Sequence, residues 1–231
     1  MARPSGASPA AGADLRTVVL VRHGVTELTE VRAYSGGGVP GPSLTTRGRT
    51  QAALAADAVF RLGKDLWPDL PRVGAVVASP LVRTLETAAA VGRRTGQHVR
   101  TDDRFVECVF GDWEGLAPDA IAARWPDELA AFSTTGTARA PGGESYADVG
   151  ERAWAGLRDV VTAADPAATT VVVSHTVTIR ALLGRSLGAP VPSWRLLRVP
   201  PCSLTVLRFG LGDDGEPALA EITAAGFPTD V

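Results

Sequence analysis

The chain has 231 residues, 45% of them hydrophobic and 21% charged, and its 23 Lys+Arg against 25 Asp+Glu leave a formal net charge of −2. That length buries a sizeable core without a disulfide or metal staple, and the balanced charge excludes the broad basic footprint that nucleic acid or a polybasic membrane contact demands. Lys64 is the only lysine, and the three histidines are His23, His98 and His175. Ala, Gly and Pro are also plentiful, so the excess of arginine is compositional and an arginine carries meaning only through its position.

Residues 1–16 are rich in Ala, Gly, Pro and Ser but lack a charged segment followed by an apolar one, so they are expected to be a frayed tail of a cytoplasmic protein, not a secretory signal. Residues 17–231 show no repeat and no break in composition and are expected to form one domain. No apolar run approaches the ~20 residues that cross a bilayer. Thr17–Val21 is a continuous apolar run and reads as a strand covered on both faces. Gly36-Gly37-Gly38 follows as a mobile surface loop; no Gly-Lys-Ser/Thr follows it, so it is not a phosphate-binding P-loop. Thr45 is a candidate N-cap for an Ala-rich helix reaching about Phe60.

Val73–Ala78 is a second buried strand, and Ser79-Pro80 then supplies an N-cap and an N1 proline for a helix running toward Val91. His98 precedes another strand and is expected to be exposed. Pro141-Gly-Gly-Glu-Ser145 forms a turn with Ser145 capping a helix to about Val161. Thr169–Val173 is a third buried strand and Thr178–Leu187 a helix. After Pro200-Pro201, Leu204–Phe209 and Ala218–Ile222 read as late antiparallel strands at an edge, which offers a surface for a homodimer. Cys108 and Cys202 have no partner at metal-ligand spacing and read as small buried thiols. Trp67, Trp125, Trp154 and Trp194 read as packing residues, with Trp113 expected near a pocket rim. The pattern predicts a three-layer α/β/α sandwich with a mostly parallel central sheet.

Ligands of such sheets gather at the carboxyl ends of the strands. Arg22-His23-Gly24 stands after the first strand, Ser79 with Arg83 after the second, and Ser174-His175 after the third. A single histidine there is most often a hydrogen-bonded structural residue. Two of them with arginines beside them suit one class of ligand, the phosphoryl group. Arginine forks match phosphate oxygens and stay charged, and a neutral imidazole attacks phosphorus when its second nitrogen is held as a donor. Gly24 permits the close approach of chains that such a loop needs. A leaving alkoxide also needs a proton donor, and position alone leaves Asp103, Glu107, Asp112 and Glu114 open.

These segments resemble the histidine phosphatase superfamily, the phosphoglycerate mutase-like fold. The resemblance is carried in order by Leu20-Val21-Arg22-His23-Gly24 with Thr26, Leu44-Thr45-x-x-Gly48, Ser79-Pro80-Leu81-x-Arg83-Thr84-x-Glu86-Thr87-Ala88, Glu107-x-x-Phe110-Gly111-x-Trp113-Glu114-Gly115, Pro141-Gly-Gly-Glu-Ser145 and Val173-Ser174-His175. It implies that His23 is the phospho-accepting nucleophile, that Arg22, Arg83 and His175 form the phosphate pocket, that Glu107 donates the proton, and that no metal or other cofactor is used. Mutases resembling the glycolytic enzyme carry a paired-arginine insertion. Residues 116–144 contain only Arg124 and Arg139, so the phosphatase branch is the closer resemblance and water is the expected acceptor.

Several positions depart from the family pattern. Val25 replaces a Glu, Thr29 stands where many members have a phosphate-contacting Asn, the loop before Leu44 lacks an Asp, and Thr176 replaces a Gly. Thr29 still offers a hydroxyl to phosphate. The expected function is hydrolysis of a small phosphorylated metabolite; a phosphomutase and a non-catalytic phospho-ligand binder are the alternatives. Specificity is expected from residues 29–43 and 110–144, which hold no dense positive cluster.

Overall fold

The computed structural model describes residues 14–229. Most of the expected N-terminal tail lies outside the described residues, and Arg16 already belongs to the first strand. A six-stranded sheet is built from β1 (Arg16–Arg22), β2 (Val73–Ala78), β3 (Val99–Thr101), β4 (Thr169–Ser174), β5 (Leu204–Leu211) and β6 (Pro217–Phe227). The spatial order is β3-β2-β4-β1-β5-β6. β1, β4, β2 and β3 run parallel, whereas β5 is antiparallel to β1 and β6 to β5. The mostly parallel sheet, with β6 as an edge, is the arrangement the apolar runs predict.

Alternation along the central strands divides the interior. Val19 and Val21 of β1 and Val171 and Val173 of β4 pack on one face against α2 (Thr46–Arg61) and α3 (Val82–Thr95). Val18, Leu20 and Val172 pack on the other face against α6 (Tyr146–Ala163) and α7 (Thr176–Ser186). Both faces of β1 and β4 are thus buried, which is why their sequences are apolar without polar alternation. A third cluster gathers Phe110, Trp113, Ile121, Phe132 and Trp194 beneath the loops at the strand ends. It contains α4 (Pro118–Arg124) and α5 (Pro126–Thr135), which together with the short α1 (Glu27–Glu30) complete the helices.

Caps follow local chemistry. The Thr45 side chain accepts from Gly48 N, and Ser145 forms a reciprocal capping box with Asp148. The expected cap at Ser79 is a correction: α3 begins at Val82 with Leu81 at the N-cap and no side-chain cap bond. Pro80 therefore lies before the helix, and Ser79 is free for another partner.

Candidate active site

Register brings the two histidines together. Arg22 pairs with Ser174 across β1 and β4, so His23 and His175 each follow a matched residue on adjacent parallel strands. His23 N donates to the Ser174 carbonyl at 3.0 Å. The two rings lie 5.2 Å apart between centroids. His23 Nδ1 is 2.7 Å from the Gly24 carbonyl, which can only accept, so Nδ1 carries the proton and Nε2 keeps its lone pair. The loop is held from behind: Gly24 N donates to Thr87 Oγ1 and Val25 N to Gln51 Oε1. A Cβ on Gly24 would lie 2.5 Å from the Gly48 carbonyl oxygen, so a side chain there would push the start of α2 away.

Ser79, released from capping, sits with its Oγ 2.8 Å from His175 Nε2. When the serine hydroxyl donates, His175 carries its proton on Nδ1. That Nδ1 is buried without a hydrogen-bond partner, as are Arg22 Nε and both Arg83 Nε and Nη1. Arg22 is anchored by Nη1 to the Val199 carbonyl at 2.9 Å, and Arg83 by Nη2 to the carbonyls of Ser35 and Gly36 at 2.9 and 3.2 Å. A buried donor left unpaired costs about 1–3 kcal/mol, more when charged. Four such atoms on three neighbouring side chains at the strand ends are a strong demand for an acceptor-rich anion.

Burial, then the Arg83 and Arg22 charges, hold the His23 pKa well below the ordinary histidine value. His175 is lowered for the same reasons, with His23 contributing. Burial, with Arg180 and Arg83 nearby, draws the Arg22 guanidinium down to about 10, so it remains charged at neutral pH.

Of the four candidate acids, only Glu107 lines the cleft. Its Oε1 accepts from Cys108 N at 3.0 Å and Val177 N at 3.1 Å, so the carboxyl rests at the amino end of α7. Arg152, bound to Glu144, fixes the same segment by donating to the carbonyls of Val106 and Glu107. Glu144 also accepts from Val109 N, which shows what the Pro141–Ser145 turn positions. Asp103 and Asp112 are exposed and outside the cleft. Glu114 instead accepts from Gly36 N at 2.6 Å.

The last contact corrects the expectation of a mobile glycine loop. Gly37 N donates to the Cys108 carbonyl, Arg83 holds Ser35 and Gly36, and a Cβ on Gly36 would meet the Cys108 carbonyl oxygen at 2.4 Å. The glycines are close-packed against the acid segment. Trp113 is likewise corrected: it is fully buried beneath Tyr34 and Phe132 and does not reach the cleft.

The cleft encloses ≈ 850 Å³ and is bordered by Arg22, His23, Thr29 and Glu107. Thr29 Oγ1 is shared with Thr26 Oγ1 at 3.0 Å. Thr176 lies on the wall, whereas Val25 is buried away from it. Tyr34, Phe110, Phe132 and Tyr146 give an aromatic side, and Arg32, Arg180 and Arg198 add positive charge. Sequence reasoning missed these three arginines because 180 and 198 lie outside the loops expected to set specificity. The spacing of Arg180, four residues beyond Thr176 on one helix face, was the available signal.

The buried neutral histidines carry a stability consequence. Below the unfolded histidine pKa near 6.5 the unfolded chain takes up protons that the folded chain refuses, so stability falls as pH drops through that value. Each histidine contributes up to about 1.4 kcal/mol per pH unit. Urea midpoints should therefore decline from pH 7.5 to 5.5, with a shallower decline in His175→Gln. Equal slopes for wild type and variant would contradict the assignment of His175 as a buried neutral group.

The family model described as histidine phosphatase superfamily (branch 1) matches residues 18–222. A bifunctional protein of Mycobacterium tuberculosis is 36% identical over 210 residues, covering 91% of this chain and 54% of that protein, so the chain spans about half the length of the first curated relatives it matches. A glucosyl-3-phosphoglycerate phosphatase of Mycolicibacterium vanbaalenii is 33% identical over 193 residues, covering 79% of each chain. The solved native structure of a mycobacterial glucosyl-3-phosphoglycerate phosphatase superposes with a TM-score of 0.77 at 30% identity, covering 92% of this chain and 99% of that one. With the fold, the ordered motifs and the match over most of its length in agreement, the chain belongs to branch 1 of the histidine phosphatase superfamily.

Proposed function

We propose that the chain is a phosphomonoesterase that hydrolyses a small phosphorylated metabolite through a phosphohistidine on His23, without a metal ion. The observation that carries this reading is the pairing of a tautomer with a set of donors. The Gly24 carbonyl leaves His23 Nε2 as the nucleophile, and the unpartnered donors of Arg22, Arg83 and His175 stand around it.

In the first step Nε2 attacks phosphorus, a P–N bond forms, the ester P–O bond breaks, and the departing oxygen takes a proton from Glu107. In the second, Glu107 accepts a proton from water as the water oxygen attacks phosphorus; the P–N bond breaks and orthophosphate leaves. Arg22 and Arg83 neutralise the equatorial oxygens throughout, His175 donates one hydrogen bond and Thr29 a weaker one. The relatives named as glucosyl-3-phosphoglycerate phosphatases make a phosphorylated hydroxy acid the first substrate class to try.

The test is release of orthophosphate from p-nitrophenyl phosphate and a panel of metabolite monoesters in excess EDTA. Turnover unaffected by the chelator, with orthophosphate stoichiometric with dephosphorylated product, is expected. Isomerised phosphoglycerate without orthophosphate would instead mark a mutase, and phosphate binding without turnover on any ester would mark a phospho-ligand binder.

A further inference from the structure

The cleft carries more positive charge than one phosphoryl group uses. Besides Arg22 its wall includes Arg32, Arg180 and Arg198, and Glu107 is the one carboxylate on it among the described residues. Among the described residues none of these four arginines is in an ion pair, whereas Arg104, Arg152 and Arg185 elsewhere each hold a carboxylate. In a chain of net charge −2, this concentration is local.

Two of the guanidinium groups are held side by side by one strip of backbone. Arg22 Nη1 donates to the Val199 carbonyl at 2.9 Å and Arg180 Nε to the Leu197 carbonyl at 2.7 Å. Anchors two residues apart are separated by no more than about 7 Å. Arg180 is half-buried, and its position is close enough to draw on the Arg22 charge and on the Tyr146 hydroxyl. Burial pushes the Tyr146 phenol up to about 12, so it keeps its proton and can donate it in a hydrogen bond.

Arg32 supplies an independent observation. α1 ends in a Schellman turn, with Arg32 N donating to the Thr29 carbonyl and Ala33 N to the Leu28 carbonyl. Arg32 occupies the left-handed position at φ 57°. Glycine is favoured there, and a side chain costs about 1 kcal/mol. The strained residue borders the cleft, which points to a use for its side chain.

We infer that Arg180, Arg198 and Arg32, with the Tyr146 hydroxyl, form a second anion subsite beside the phosphoryl pocket, so that the substrate is a phosphomonoester carrying a second anionic group. The inference rests on the phosphomonoesterase reading above and narrows its substrate class. Carboxylate and phosphate share the chemistry that such a subsite recognises, fork-shaped acceptance of arginine donors.

Matched ligands isolate the second charge. D-3-phosphoglycerate and glycerol 3-phosphate differ by a carboxylate against a hydroxymethyl group; fructose 1,6-bisphosphate and fructose 6-phosphate differ by one phosphate. Competitive Ki values are measured against p-nitrophenyl phosphate. Wild type should bind the more anionic member of at least one pair roughly 10- to 100-fold more tightly, and the favoured pair tells carboxylate from phosphate. In Arg180→Gln/Arg198→Gln that ratio should fall at least about fivefold, while Arg180→Lys retains most of it. A merely structural role would weaken both members equally and leave the ratio unchanged. Ratios near unity in wild type, or an unchanged ratio in the double variant, would overturn the subsite. If p-nitrophenyl phosphate is not hydrolysed, it is the phosphomonoesterase reading that fails; the same ratios taken as calorimetric Kd values still decide the subsite.

Discussion

His23→Ala should lower kcat/KM for any monoester by at least about 10⁴-fold, because the nucleophile and its partners act as a unit and the remaining donors only bind. The size of the loss follows from the local geometry. No second imidazole can take over: His175 is fully buried, and its Nε2 is held at 2.8 Å by Ser79. The fold should survive, since His23 borders the cleft and its Nδ1 bond goes to a carbonyl that water can then reach. Thermal melting of the variant within a few degrees of wild type checks that point. A label provides the direct readout. Wild type quenched during turnover of a 32P-labelled monoester should retain radioactivity that alkali leaves in place and acid removes, as a P–N bond requires, and the variant should retain none. A label stable to acid would place the phosphoryl group on a hydroxyl oxygen instead and end the phosphohistidine mechanism. So would a variant that turns over at the wild-type rate.

The strands and their order of use were legible because burial on both faces leaves an unmistakable run of Val and Leu, and the two late strands because their turns are marked by Pro and Gly. Positions at strand ends were legible for the same reason: once β1, β2 and β4 are placed, His23, Ser79 with Arg83 and His175 must lie at one edge of the sheet. Contacts across that edge were not legible. Ser79 followed by Pro80 carries a strong local capping signal, yet the hydroxyl is used on His175, a residue 96 positions away. The glycine loop has the composition of a flexible segment, but its glycines are required by close packing onto the Cys108 and Glu107 carbonyls. Arg152 looked like any helix-surface arginine, although it fixes the backbone of the acid. Arg32, Arg180 and Arg198 come from three separate segments, and charge converging from distant positions leaves no local density to find. In each case local sequence chemistry admits two partners, and tertiary proximity decides between them.

Glu107→Gln should produce the second large loss, of roughly 10²–10⁴-fold in kcat, and that loss should depend on the leaving group. The substitution is close to isosteric. The Gln carbonyl oxygen can still accept from Cys108 N, Val177 N and Thr178 N, the donors that now hold Oε1, so the segment should keep its place at the amino end of α7. What disappears is the transferable proton. An alkyl monoester expels a strongly basic alkoxide and cannot depart without that proton, so its phosphorylation step should become rate-limiting and slow. p-Nitrophenol leaves readily as its anion at neutral pH, so formation of the phosphoenzyme from p-nitrophenyl phosphate should be nearly unaffected. Its hydrolysis should still slow, because the second step asks the same carboxylate to take a proton from water. The variant should therefore release a burst of p-nitrophenol equal to the enzyme present, followed by a slow steady rate, and it should accumulate the acid-labile label that His23→Ala lacks. Asp103→Asn and Asp112→Asn, whose carboxylates are exposed outside the cleft, should show neither effect. Equal losses for alkyl and aryl esters without a burst would mean that Glu107 orients the site but does not move a proton. The same burst in Asp112→Asn would move the acid role to that residue.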